Sequence, residues 1–252
     1  MNSIAPDGGT LRVATEWELR RDLAAVFRLA YRMRMNVGIG NHFSLMLPGG
    51  DDRFLVNGRG LLFQEITASN LLAVGFDGTV HAGKHQVRKV AWNIHAPIHA
   101  CNPQAKCVIH LHPPAITALA LLEGGRLALA HHDNLIVNDR VAYDDAMTGP
   151  ALMDGEGERL AGVLGDKTIM VMANHGVLAV GPTVEDAFHE LTVAEWACEM
   201  QLKAMATGQK LREQPEALRW RMTGRWGDTL DSRLYLDAWR RVLDKEEPDY
   251  AQ

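Results

Sequence analysis

The amino-acid sequence predicts a single α/β domain. Apolar residues recur at helical spacing near the N-terminus, later apolar runs are short and punctuated by Gly and Asp turns, and no linker or internal repeat divides the chain. With 252 residues, 47% hydrophobic and 23% charged, the chain is long enough for one large core or two small ones.

Residues 1–13 read as a loose tail. Thr15 and Glu18 then carry a capping-box signature, and Leu19, Leu23, Val26, Phe27, Ala30 and Tyr31 line one helical face, so a first helix runs to the NVGIGN segment at 36–41. Phe43, Leu45 and Leu47 alternate before a Gly-Gly-Asp-Asp turn and a second short apolar run, the pattern of a β-hairpin. Residues 71–80 repeat the device around Asp77-Gly78. A helix is expected over residues 88–102, with His95 and His99 on one face and Pro97 arguing against full regularity. KCVIHLHPP (106–114) reads as a buried strand stopped by two prolines, followed by a helix over 113–122. Residues 124–150 are expected to be irregular. TIMVMA (168–173) and VLAVG (177–181) read as strands around the turn NHG (174–176), and Pro182 is expected to open a helix reaching about Thr207. The domain thus occupies 14–210, and 211–252 form a helical extension packed on the domain or on a neighbouring subunit.

Composition excludes several function classes. A net charge of −5 without a basic block gives no field for nucleic acid or a membrane surface, so neither partner is expected. Cys101, Cys107 and Cys198 contain no CxxC pair, which argues against a disulfide framework or a cysteine zinc site and fits a reducing cytoplasm. There is no signal-peptide pattern and no apolar run near the roughly 20 residues of a membrane span, so a soluble cytoplasmic protein is expected.

The histidines carry the chemistry. In a strand, residues i and i+2 project to one face, so His110 and His112 point together, either to share an ion or to bond separately to backbone or carboxylates. His175 sits between two apolar runs, in a turn marked by Asn174 and Gly176. Three imidazoles at strand ends of one sheet would make a three-ligand divalent site with open positions, the catalytic rather than the structural kind.

In their order, GNHFS (40–44), IHLH (109–112) and NHGVLAVG (174–181) resemble the class II aldolase/adducin N-terminal domain family over residues about 15 to 210. The resemblance implies a three-layer α/β/α sandwich with a mainly antiparallel central sheet, assembled as a homotetramer with sites between adjacent subunits. It also implies one divalent metal ion per subunit on His110, His112 and His175, zinc first, with manganese, iron or cobalt as alternatives. The segment RRVLDKEEPDY (240–250) is similar to the tail of the adducin-like branch rather than of the sugar-phosphate enzymes.

The departures from the family pattern shape the expected reaction. Where the sugar-phosphate aldolases and epimerases carry an acidic residue, nineteen positions before the first metal histidine, this chain has Ala91. His95 matches a histidine the family tends to keep and is a candidate catalytic residue, as a fourth ligand or a partner behind the ligands. Arg88 and Lys89 replace the hydroxyl residues that bind phosphate, and Asn57-Gly58 replace a Thr-Gly turn. With Asn41 these are the candidate substrate contacts, and the cationic pair favours a small-molecule carboxylate over a sugar phosphate. Allowing one insertion, His132 falls where the aldolases carry a proton-donating tyrosine from the neighbouring subunit, and His131 or Asp133 would orient it.

The expected function is therefore a metal-dependent lyase. It would cleave a carbon-carbon bond of a small oxo- or hydroxy-carboxylate, aromatic acids included, by decarboxylation or retro-aldol cleavage through a metal-stabilised enolate or carbanion. The loss of the acid at Ala91 leans toward decarboxylation, which needs no hydroxyl proton abstracted. Two other classes stand beside it: a three-histidine iron oxygenase on the same fold, and a non-catalytic adducin-like assembly domain.

Overall fold

A computed structural model describes residues 14–49, 52–146, 153, 155–215 and 232–252. The tail expected at 1–13 lies outside them. Helix α1 (Glu16–Arg32) begins as its sequence requires: Thr15 and Glu18 complete the capping box reciprocally. The hairpin β1 (His42–Met46) and β2 (Arg53–Val56) follows, then the pair β3 (Leu72–Gly75) and β4 (Val80–Ala82). Next come α2 (Lys89–Cys101), β5 (Cys107–Leu111) and α3 (Pro114–Ala120).

The segment expected to be irregular, described as far as residue 146 with 147–150 outside the described residues, is irregular only in part. It holds α4 (His132–Val137) and an edge strand, β6 (Val141–Asp144). Four residues are too few to show alternation, and β6 pairs in parallel with a strand more than 20 residues downstream, a partner no local pattern announces. Helix α5 (Glu156–Leu164) adds a further element, and β7 (Ile169–Met172) and β8 (Gly176–Gly181) flank the NHG turn as expected. Helix α6 (Val184–Met205) starts later than Pro182 would place it, because the Thr183 hydroxyl accepts from the Asp186 N–H and serves as N-cap. Within the C-terminal extension, α7 (Ser232–Glu246) packs on α1 and α6 of its own chain.

The strands form one eight-stranded sheet in the order β4-β3-β2-β1-β5-β8-β7-β6, antiparallel except for β6 with β7. Helices cover both faces, giving the three layers. Phe43, Cys107, Ile109 and Ala179 join the core beneath α1, α3 and α6, whereas Val108, Leu178 and Val180 meet Ile94 and Ile98 of α2 and Leu160 and Leu164 of α5. Alternation therefore places His42, Ser44 and His110 on the α2 face. Pro97 cannot donate to Asn93, and α5 approaches there through Gly157, whose added Cβ would lie 2.2 Å from the Asn93 carbonyl oxygen.

The C-terminal tail is tied to α1. Buried Arg28 donates to the Ile66 carbonyl at 2.9 Å, and its guanidinium reaches Glu247 at 3.1 Å and Asp249 at 2.6 Å. Tyr250 is fully buried beside it.

Candidate metal centre

Strand β5 ends at the rim of the sheet, where His110 is its penultimate residue and His112 follows directly. Strand β8 is β5's neighbour, so the β7–β8 turn delivers His175 to the same rim. Asn174 makes this turn in the left-handed region at φ 57°, a conformation asparagine tolerates, and its N–H donates to the Ala120 carbonyl at 3.0 Å. The three histidines offer nitrogens that all lie within 4.8 Å of one another. Their ring centroids form a near-equilateral triangle with sides of 5.0, 4.9 and 4.9 Å.

Tautomer and charge suit a cation. The His110 Nδ1–H donates to the Val177 carbonyl at 3.1 Å, which leaves Nε2 with its lone pair, facing the His112 Nε2 at 3.2 Å. Burial holds all three imidazoles neutral: His110 titrates well below the ordinary histidine range, His112 is pushed down to about 4, and His175 is lowered as well. Neutral imidazoles on a rigid rim, with no acidic residue among them, are the donor set of a divalent ion of the zinc type.

Sequence reasoning named His95 as a partner behind the ligands but did not single out His42 or Ser44. His42 is the cross-strand partner of His110, with ring centroids 4.9 Å apart. Its Nδ1 lies 2.7 Å from the Nε2 of His95, and His95 Nδ1 meets the Ser44 hydroxyl. Ser44 also reaches His99 Nε2 at 2.8 Å, and His99 Nδ1 lies 2.5 Å from the Ala105 carbonyl oxygen. His95 therefore stands behind the triangle with both nitrogens engaged. The i, i+2 spacing of His42 and Ser44 and the i, i+4 spacing of His95 and His99 were visible, but only the strand pairing brings the two pairs face to face.

The other candidates are distributed around this core. Arg88 and Lys89 line a cavity of about 340 Å³ with Ile39, Val90 and Arg59, a third cation that the sequence reading did not single out. Arg88 donates one guanidinium N–H to the Ile39 carbonyl at 3.0 Å, which holds the head group at the cavity. Asn57 is spent on the backbone, accepting from the Phe43 N–H and donating to the Asn41 carbonyl, both at 3.3 Å. Gly58 admits the His85 side chain, which would lie 2.5 Å from an added Cβ. Asn41 accepts from the Val37 N–H at 2.7 Å, and its buried Nδ2 has no hydrogen-bond partner among the described residues. Ala91 packs in the core with Phe54 and Val74, so no acidic group stands there.

His132 opens α4 outside the three-histidine group, with its side chain 53% exposed and its Nδ1 3.3 Å from Asp133 Oδ1. His131 accepts from the Asp133 N–H as the cap of α4, and Asp133 is a hydrogen-bond partner of His132. A larger groove of about 710 Å³ between α3, α6 and α7 is lined by Asp133, Glu195, Trp196 and Tyr235 and contains none of the three histidines. Among the described residues no helix is long and apolar enough to cross a membrane.

Residues 21–202 match the family model described as Class II Aldolase and Adducin N-terminal domain. A Caulobacter vibrioides protein assigned by name to aldolase class 2 is 35% identical over 241 residues, covering 94% of this chain and 93% of that protein. Mouse alpha-adducin is 33% identical over 210 residues, 82% of this chain but 27% of the adducin. Among solved structures, an aldolase II superfamily protein from Pseudomonas syringae superposes with a TM-score of 0.88 at 35% identity, covering 96% of this chain and 98% of that one. An L-fuculose 1-phosphate aldolase from Glaciozyma antarctica shares the fold at a TM-score of 0.84 and 23% identity, over 97% of each chain.

Proposed function

The chain belongs to the class II aldolase and adducin N-terminal domain family, and from that premise we propose that it is a metal-dependent lyase cleaving a carbon-carbon bond of a small oxo- or hydroxy-carboxylate. The observation that carries this reading is the convergence of three neutral imidazoles within 4.8 Å of one another; Arg59, Arg88 and Lys89 line a cavity of their own that the three histidines do not enter. His110, His112 and His175 would hold the ion, zinc first. A divalent ion in such a site supplies Lewis-acid stabilisation of negative charge developing on substrate oxygen.

The chain's own residues supply the remainder. Arg59, Arg88 and Lys89 attract and orient a carboxylate, the planar guanidinium of arginine being suited to two-point contact with it. The unpartnered Asn41 amide donates to a substrate oxygen. His132, exposed and oriented by Asp133, is the candidate proton donor, and its position on the surface suits a role completed by a neighbouring subunit in an oligomer, the homotetramer being the proposed form. With Ala91 in place of an acid, decarboxylation is favoured over aldol cleavage.

The adducin match gives the assembly-domain reading its support, but a scaffold has no need of the ligand triangle. Metal analysis of purified protein, followed by incubation of the zinc-loaded chain with a panel of oxo- and hydroxy-carboxylates, tests both. The expected outcome is about one ion per chain and release of carbon dioxide or aldehyde from at least one acid. Bound metal with neither product overturns the lyase, and absence of metal affinity returns the chain to the scaffold reading.

A further inference from the structure

The buried chain behind the triangle has a direction. A backbone carbonyl only accepts, so His99 must donate its Nδ1–H to Ala105. His99 Nε2 is then a lone pair and accepts the Ser44 O–H. With its proton committed, the Ser44 oxygen accepts from His95 Nδ1–H, and His95 Nε2 in turn accepts from His42 Nδ1–H. One carbonyl thus dictates the tautomers of three histidines through four hydrogen bonds. It leaves His42 Nε2 as a lone pair with no hydrogen-bond partner among the described residues.

We propose that His42 is the hydrogen-bond acceptor of the site, locked in that role from Ala105, and that it selects ligands presenting a hydroxyl proton next to their carboxylate, a 2-hydroxy acid over its 2-oxo counterpart. His42 pairs with His110 across the strands, which sets it beside the ligand triangle. Arg88 also acts on its charge. Donation along the chain polarises each member in the same sense and strengthens the terminal acceptor. A 2-oxo acid offers no proton to that lone pair, and a buried acceptor left unmade costs binding. Burial also keeps His95 and His99 neutral. The choice of ligand rests on the metal-lyase reading, whereas the tautomers do not.

Two measurements separate these parts. In the metal-free full-length chain carrying 15N-labelled histidine, the two-bond 1H–15N correlation spectrum near pH 7 should show His42, His95, His99 and His110 all as Nδ1–H tautomers, against the Nε2–H form preferred by a free histidine side chain. His42 or His95 observed as Nε2–H, or as imidazolium, overturns the proposal. Ser44→Ala cuts the chain, so His99 should keep its tautomer while His95 and His42 lose their single form; an unchanged His42 overturns the anchoring. In calorimetry on the zinc-loaded chain, lactate should bind about tenfold tighter than pyruvate, and His42→Phe should bring the ratio toward one with zinc content unchanged. Equal affinities in the unaltered chain overturn the selection. Failure to take up zinc, with the tautomers as expected, supports the chain and counts against the metal reading alone.

Discussion

His110 and His112 face each other through their Nε2 atoms at 3.2 Å. Because Val177 commits the His110 proton to Nδ1, the hydrogen between the two rings belongs to His112, which must carry its proton on Nδ1 instead once an ion takes the space between them. The pair is therefore poised for metal and held by geometry that alanine would destroy. His112→Ala is expected to weaken zinc affinity by at least about 100-fold, whereas His132→Ala should keep the metal and lose catalytic rate. Zinc content by mass spectrometry and turnover of the two variants check this, and equal metal loss in both would make His132 a ligand.

Gly176 follows the third histidine and leaves room for the second. A Cβ there would stand 2.6 Å from both His112 Cδ2 and the Leu111 carbonyl oxygen, and the latter is strand backbone that cannot retreat. Gly176→Ala should lower zinc affinity about tenfold or more without removing a donor atom. Competition against a chelator of known affinity measures it, and a wild-type constant would show the rim to be more compliant than its packing implies.

Arg88 and Arg59 approach the cavity from different segments. Loss of one arginine from a carboxylate site costs about 1.5–3 kcal/mol. Arg88→Ala should therefore raise the dissociation constant for a carboxylate by one to two orders of magnitude, with zinc content unchanged. Unaltered carboxylate binding would remove the cavity from the substrate path.

The buried histidines also fix the acid limb of stability. His99 has its pKa lowered by burial to about 4, against about 6.5 in an unfolded chain. Between those values the unfolded state binds the proton and the folded state does not. The stability contributed is full above about pH 6.5 and is lost as pH falls toward 4, by at most about 3 kcal/mol for this residue. His42 and His95, also lowered, act in the same sense. Urea midpoints of the metal-free chain should fall steadily from pH 7 to pH 5, and a flat profile would mean that these rings are not held neutral.

Arg28 makes the tail part of the domain. Its guanidinium is buried, while Glu247 and Asp249 retain some exposure, so breaking the contact costs about 1–3 kcal/mol rather than the full penalty of a buried pair. Arg28→Met should lower the thermal midpoint. Truncation after Glu246 should lower it further, because it also removes buried Tyr250, and Arg28→Met should add little once the tail is gone. Additive losses would mean that the arginine acts mainly through Ile66.

The periodicity of the chain by itself determined α1, the two hairpins, the helix carrying His95 and His99, and the strands ending at His110 and His175, because each rests on contacts a few residues apart and leaves a local pattern. The spacing of His110 and His112 placed both on one face for the same reason. Tertiary structure alone decided the rest. The pairing of β5 with β8 brought His175 to the other two, and parallel pairing with β7 turned an unremarkable loop segment into β6. The β1–β5 register set His42 beside His110, and packing of α2 on that face closed the bridge from His42 through His95 and Ser44 to His99. Sheet order and helix docking are long-range choices, fixed by burial of whole faces rather than by any window of sequence, and they decide which of several histidines meet.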